Sequence, residues 1–599
     1  VIASLSLGLT ACGGTENTDN QPTDDQPTTL TIGWNQSFYS YNDATLNGNN
    51  TTNANIAYLT NSQFNYYTPD NVLTNNDWYG SYEKVSDDPL TVTYTINDGV
   101  NWSDGTPVDA ADLMLAYGVN SGNFNTTAEV KYDENTGVAS YAEGEVFFNS
   151  AAASDGISLN LVKETPVISD DGKSITLVYS KPYADWNLDY FNSIRTPAHI
   201  VGKKALGETD AQAAKDAVVA AFEGKDKAAL SEIAAFWNVA YDFADTPSDP
   251  ELIISNGPYR IKEAKADEYV TLERNPEYTG PFDPNIDELT VRFISDPVAA
   301  IQALQNGEVD MYEGQATADS VDSAEAAGIE MEAGEESTYE HIDLTIDNGG
   351  PFDPKSYDGD EAKAKLVRQA FLAAYPRQEI IDTIIKPMVP DAQLRTALVR
   401  FPGAPGYDEA SAANGHEAFG DGTADIQKAK DLLAEAGVTK PKVVLMYDNE
   451  NPRRADEFAL VSATLTEAGF NIVDKGTSNW SSFLGNKKYD AVFFGWQDTS
   501  SSVFSSAATW LTTGGSNYQG FSSEVVDAAY GELAGTTDEA KQIELLTTID
   551  TEIFSAAVSL PIFQFPGVVF YNAENVTNLD PAYLAPTMFY NYWEWEVVS

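Results

Sequence analysis

A chain of 599 residues exceeds the roughly 250–300 residues that one hydrophobic core serves, so at least two domains are expected. Hydrophobic residues make up 42% and aromatic residues 11%, an ordinary folded composition. The 91 Asp and Glu against 34 Lys and Arg leave a net charge of -57, which repels phosphate backbones and anionic lipid and so argues against nucleic-acid binding or a basic membrane patch.

The single cysteine, Cys12, excludes an intrachain disulfide and a thiolate zinc site. The three histidines, His199, His341 and His416, are far apart, and no HExxH, Walker lysine loop or G-x-S-x-G elbow occurs. Ser-His and Cys-His catalysis are therefore not expected.

Val1–Ala11 (VIASLSLGLTA) is apolar, rich in small residues and too short to span a bilayer; it reads as the latter part of a signal peptide. Leu9-Thr10-Ala11-Cys12 resembles the bacterial lipobox, which implies that Cys12 carries lipid at the mature N-terminus. Acyl chains hold a protein to the bilayer by about 0.8 kcal/mol per buried CH₂. Gly13–Thr28 has no hydrophobic residue and is expected to be a tether with an r.m.s. span of roughly 20–25 Å.

Leu30–Trp34 alternates as a first strand, leading to a polar aromatic loop and a helix over Ala54–Asn61. Leu90–Ile96 has period two, and Asp109 with Asp112 marks the start of a helix. Ser174–Tyr179 reads as a strand, Ala211–Trp237 as helical, and Tyr259–Arg274 as a hairpin around Lys265-Ala266-Asp267. Leu289–Ile294 and Val309–Met311 read as strands flanking a short helix over Ala299–Leu304. Amphipathic helices are expected over Lys363–Ala374 and Asp425–Ala436, the second closed by Gly437. Lys442–Met446, a helix over Ala455–Ala468 and Phe470–Val473 form a βαβ-like unit, and Asp490–Gly495 reads as a buried strand. This alternation predicts an α/β fold. No internal repeat is present.

Seven stretches, in this order, carry a family resemblance. They are YTINDGVNWSDGTPVDAADLMLAY (Tyr94–Tyr117), ISNGPYRIKEAKADEYVTLERNPEY (Ile254–Tyr278), IQALQNGEVDM (Ile301–Met311) and VRQAFLAAYPRQEIID (Val367–Asp382). DIQKAKDLLAEAGV (Asp425–Val438), FGWQD (Phe494–Asp498) and LPIFQF (Leu560–Phe565) follow. Together they resemble the family 5 extracellular solute-binding proteins, the oligopeptide- and dipeptide-binding components of ABC importers. The resemblance implies a two-lobed periplasmic-binding-protein fold of the large, type II peptide-binding class. The first lobe is then expected over residues 29–62, 176–293 and 566–599, with an extra subdomain inserted over 63–175. The second lobe is expected over 294–565, with crossovers near Phe293 and Phe565. Residues 1–11 and 12–28 are the signal remnant and the lipidated tether.

The implied function is that of a non-enzymatic, lipid-anchored receptor on the outer face of the bacterial membrane. It takes oligopeptides between its lobes and delivers them, as a monomer without cofactor or metal, to permease subunits. A dry cleft must supply partners for a peptide backbone and its charged ends. Trp496-Gln497-Asp498 resembles the family segment carrying the ammonium-binding Asp, with one residue instead of two between Trp and Asp. Trp496 and Trp480 are candidate cleft walls. Arg453 and Arg454, in the loop DNENPRRADE, suit a bidentate carboxylate; the family's arginine upstream of Gly-Trp is replaced by Phe493 and Phe494. Trp34, Asn35, Tyr39 and Asn55 are expected at the cleft on the first lobe. Asp353–Asp360 lacks EF-hand spacing and reads as a solvated loop. An oligosaccharide cargo is the alternative, because aromatic walls suit sugars. More distant alternatives are a carboxylate-dependent hydrolase and a passive adhesin.

Overall fold

Period-two segments with one apolar face account for the strands that open the chain. Leu30 and Ile32 of the strand Thr29–Trp34 point into a core with Leu289, Val291 and Ile261. The computed structural model describes residues 27–69, 71–127, 129–132, 139–153, 156–190 and 194–598. Cys12 and most of the expected tether lie outside the described residues.

The main sheet has ten strands. From one edge they are Tyr259–Lys265, Tyr269–Arg274, Glu288–Phe293, Thr29–Trp34, Met311–Glu313, Ser559–Tyr571, Glu330–Leu344, Ala491–Gln497, Lys442–Tyr447 and Asn471–Gly476. Thr29–Trp34 runs parallel to both of its neighbours, as do Lys442–Tyr447 and Asn471–Gly476, which the helix Pro452–Glu467 connects. The expected α/β architecture is therefore present, with a mixed sheet.

Two long antiparallel strands join the halves of this sheet. Ser559–Tyr571 pairs with Met311–Glu313 through residues 569–571, and with Glu330–Leu344 along most of its length. The pairing shifts register between Glu335 and Tyr339. Beyond that shift, Thr338–Leu344 pairs with Ala491–Gln497. The shift falls at residues 335–339 of one long strand and 564–566 of the other. Beyond Phe293, Met311–Glu313 hydrogen-bonds to Ile32–Trp34.

A separate four-stranded antiparallel sheet contains Gly80–Asp87, Leu90–Ile96, Ser174–Val178 and Val167–Ile168. The helix Ala110–Asn120 starts in a capping box: Asp109 accepts from Ala111 N, and Asp112 accepts from the backbone of Asp109. Gly118 gives the Phe222 ring room against the helix, since a Cβ there would meet the ring at 2.1 Å. The stretch read as one helical run over 211–237 is two helices, Ala211–Glu223 and Lys227–Trp237. Lys225, at φ 48, turns the chain between them, and Asp226 caps the second.

Candidate functional site

The two halves of the protein meet across a seam beside the register shift. On one side, Tyr67 ends the short strand Asn65–Tyr67, and Asp185 follows the four-stranded sheet. On the other, the loop 499–504 follows the strand Ala491–Gln497. Tyr67 Oη accepts from Ser501 N at 3.2 Å and from Ser501 Oγ at 3.3 Å. Asp185 Oδ2 accepts from Ser502 Oγ, and from Phe504 N at 3.2 Å. Tyr67 also packs in an apolar cluster with Phe401, Ala404 and Leu584. Nearer the long strands, Gln315 Oε1 accepts from Asn451 Nδ2, and from Arg453 Nη2 at 3.0 Å.

Asp498 lies between the strand Ala491–Gln497 and the loop 499–504. Its backbone carbonyl accepts from Ser337 Oγ at 2.7 Å, which ties it to the register shift. Its side chain is 16% exposed, and Oδ2 lies 3.6 Å from Arg395 Nη1. That oxygen makes no hydrogen bond within the described residues. Burial pushes the Asp498 carboxyl above the usual carboxylate range, while Arg395 and Arg400 pull it back. Arg395 is fixed by other partners. Nε donates to Ala397 O at 2.8 Å, Nη1 to Gln564 Oε1 at 3.0 Å and Nη2 to Arg400 O at 2.8 Å. Its guanidinium lies 3.6 Å from the Tyr339 ring centroid.

Arg453 and Arg454 are buried on the first turns of the helix Pro452–Glu467, where Asn451 caps Arg454 N. Both converge on Glu340: Arg453 Nη2 reaches Oε2 at 3.1 Å and Arg454 Nε reaches Oε1 at 3.1 Å. Arg453 also stacks over Phe565 at 4.0 Å and keeps Nη1 without a hydrogen bond in the described residues. Gly495 makes this arrangement possible, because a Cβ there would stand 2.7 Å from the Phe565 ring and 2.9 Å from Thr338 Cγ2. Glu457, 3.4 Å from Arg453 Nε, is pushed up to about 8 by burial and then by Glu340, with its arginine neighbours opposing.

The other candidates occupy separate settings. Trp496 has its ring parallel to those of His341 and Tyr518, at 6.3 and 6.2 Å, and its buried Nε1 has no hydrogen-bond partner in the described residues. Trp480 packs on Phe494 at 5.2 Å, with Arg454 5.5 Å above its ring, and Gln497 pairs with Thr338 at the end of its strand. Trp34 is core, 5.4 Å from Phe589, and its Nε1 is also unpartnered among the described residues. Asn35 touches the Gly314 turn, and Asn55 is buried in the helix Thr51–Thr60 with Nδ2 unpartnered among the described residues. Tyr39 is 37% exposed and donates to Asn47 O at 2.9 Å, which holds its hydroxyl on its own loop. Asp353 and Asp360 cap the turns that follow them.

Arg395, Arg400, Glu340 and Asp185 were not singled out from the sequence. In a chain with only 34 cations, the arginines of LRTALVRFP offered a signal; Asp185 offered none. Two acids also stand on strands of this sheet, Glu313 buried and Glu336 half-buried. Glu313 accepts from Thr587 Oγ1 at 2.7 Å and Met588 N at 3.1 Å, and burial raises it to about 8. Burial raises Glu336 to about 7.

The family described as bacterial extracellular solute-binding proteins, family 5 Middle, matches residues 72–518. The oligopeptide-binding protein OppA of Mycobacterium tuberculosis is 24% identical over 546 residues, which cover 88% of this chain and 78% of that protein. Among solved structures, the periplasmic EDTA-binding protein EppA is similar with a TM-score of 0.74 and 22% identity, covering 97% of this chain and 100% of that one. The oligopeptide-binding protein AppA from Bacillus subtilis, in complex with a nonapeptide, has a TM-score of 0.69 and 17% identity, covering 96% of this chain and 100% of that one. These structures share the two-lobed fold with this chain. With three quarters of its length matched, the chain belongs to the bacterial extracellular solute-binding proteins of family 5.

Proposed function

We propose that the protein is the extracytoplasmic solute receptor of an ABC importer and that it captures oligopeptides between its lobes. The carrying observation is that Asp498 Oδ2, Trp496 Nε1 and Arg453 Nη1 are among the buried polar atoms that make no hydrogen bond within the described residues. A buried polar group costs stability unless it is hydrogen-bonded, and a peptide offers both donors and acceptors. In this reading Asp498 takes the ammonium end and Arg453 the carboxylate end. Peptide binding by the OppA and AppA relatives supports the same cargo class. The lobes close by bending at residues 335–339 and 564–566, where the two long strands pass between them. Cys12 carries the lipid anchor on the outer face of the membrane. The monomeric receptor hands its cargo, unhydrolysed, to the permease.

Titration calorimetry with pentaalanine, N-acetyl-pentaalanine and maltopentaose tests the cargo class. Heat with the free-amine peptide, less with the acetylated one and none with the sugar is the expected pattern. Small-angle scattering is expected to give a smaller radius of gyration with peptide. Binding of the sugar alone would overturn the peptide reading and favour an oligosaccharide receptor.

A further inference from the structure

We infer that the loop 499–504 is a closure latch and that Asp185 is the residue that catches it. The inference rests on the hinge-closing reading above and adds a device that holds the closed state.

Asp185 is held in place by its neighbours. Tyr94 Oη donates to Trp186 O at 2.6 Å, and the Trp186 ring packs 6.0 Å from Tyr82, so the segment is fastened to the four-stranded sheet. From there one carboxylate oxygen receives two donors from the opposite lobe, Ser502 Oγ and Phe504 N, across 317 and 319 residues of sequence. Tyr183 places its ring 5.2 Å from Phe504. Tyr67 receives the preceding residue, Ser501.

The loop is also gripped by its own lobe. Arg400 Nη1 donates to Ser501 O at 3.2 Å and Ser502 O at 3.1 Å. Arg400 O in turn accepts from Arg395, the guanidinium beside Asp498. The same short stretch therefore begins at the candidate ligand anchor and ends at the catch. Its residues, Thr499-Ser500-Ser501-Ser502, are small and hydroxylated. Water can satisfy each of these groups when the lobes part, so the catch is reversible.

The test uses the full chain with Cys12 replaced by Ser and spin labels on cysteines placed at Val167 and Val525. These exposed residues lie in opposite lobes, 67% and 46% accessible. Dipolar distances are recorded without and with pentaalanine, and stopped-flow kinetics give the dissociation rate. Asp185→Ala is expected to lengthen the distances in both states and to speed dissociation about tenfold, with little change in association, because a bond to a charged acceptor is lost. Asp185→Asn keeps an acceptor oxygen and is expected to restore most of the closed population. Ser502→Ala acts from the other lobe, and combining it with Asp185→Ala is expected to add little. It carries the test if Asp185→Ala does not fold. Unchanged distances in both states for Asp185→Ala or Ser502→Ala would overturn the latch. If pentaalanine fails to bind, the peptide reading falls, while the ligand-free distances still decide the latch.

Discussion

Oδ2 of Asp498 stands 3.6 Å from Nη1 of Arg395, within reach of charge attraction and outside reach of a hydrogen bond. The arginine spends its hydrogen bonds elsewhere, so it lowers the cost of the buried carboxylate without occupying it. Under the proposed peptide cargo, the ammonium end completes the site.

Asp498→Asn keeps the shape and removes the charge. Truncating one side of a buried charge pair costs about 2–5 kcal/mol, and the nearby Arg395 places the expectation at the lower end, about thirtyfold in affinity for a free-amine peptide. The acetylated peptide is expected to lose little. Calorimetry showing equal affinity for the free-amine peptide in mutant and wild type would make Asp498 a loop residue with no ligand role.

Glu340 is the counter-ion of both Arg453 and Arg454, and its side chain is fully buried. Glu340→Gln leaves two guanidinium groups in the interior without it. Loss of one partner of a buried ion pair costs about 3–5 kcal/mol, so the urea midpoint is expected to fall sharply. An unchanged midpoint would mean that Glu457 alone compensates both cations.

Much of the framework could be read from residue patterns, for local reasons. Leu90–Ile96 alternates because one face of its sheet is buried: Leu90, Val92, Tyr94 and Ile96 are buried and the residues between them are half-exposed. Asp425 and Gly437 mark the ends of a helix because their chemistry acts within a few residues. The strand Glu330–Leu344 was not legible. Its first half, EMEAGEE, has weak strand propensity, and pairing with Ser559–Tyr571 supplies what local preference lacks. Ser559–Tyr571 is buried almost throughout, so it has no alternation to read. At the site, Phe494–Asp498 stood out as a compact motif. Arg395, Arg400 and Asp185 acquire their roles only when distant segments meet.

Glu313 and Glu457 are raised to about 8, and Glu336 and Asp189 to about 7, burial being the largest cause in each. The folded state therefore binds these protons more tightly than the unfolded chain. The associated stability is fully present below the ordinary carboxylate range and is lost as pH rises through about 8. Each group contributes a slope of up to about 1.4 kcal/mol per pH unit within that window. Urea midpoints are expected to fall from pH 5 to pH 8, and Glu336→Gln to flatten the decline. A midpoint that climbs over this range would contradict the assignment.

Cys12 is the sole thiol and follows Leu-Thr-Ala. Cys12→Ser is expected to release the protein from the native host's membrane into the medium. Fractionation that finds the variant still on the membrane would remove the lipid anchor from the account.

Native mass spectrometry of the intact protein, purified from rich medium without denaturation, reads directly what the cleft captures. Peptide cargo is expected to give a family of bound adducts, separated by amino-acid residue masses and lost on unfolding. A bound series spaced by hexose masses, with no peptide detected, would contradict it.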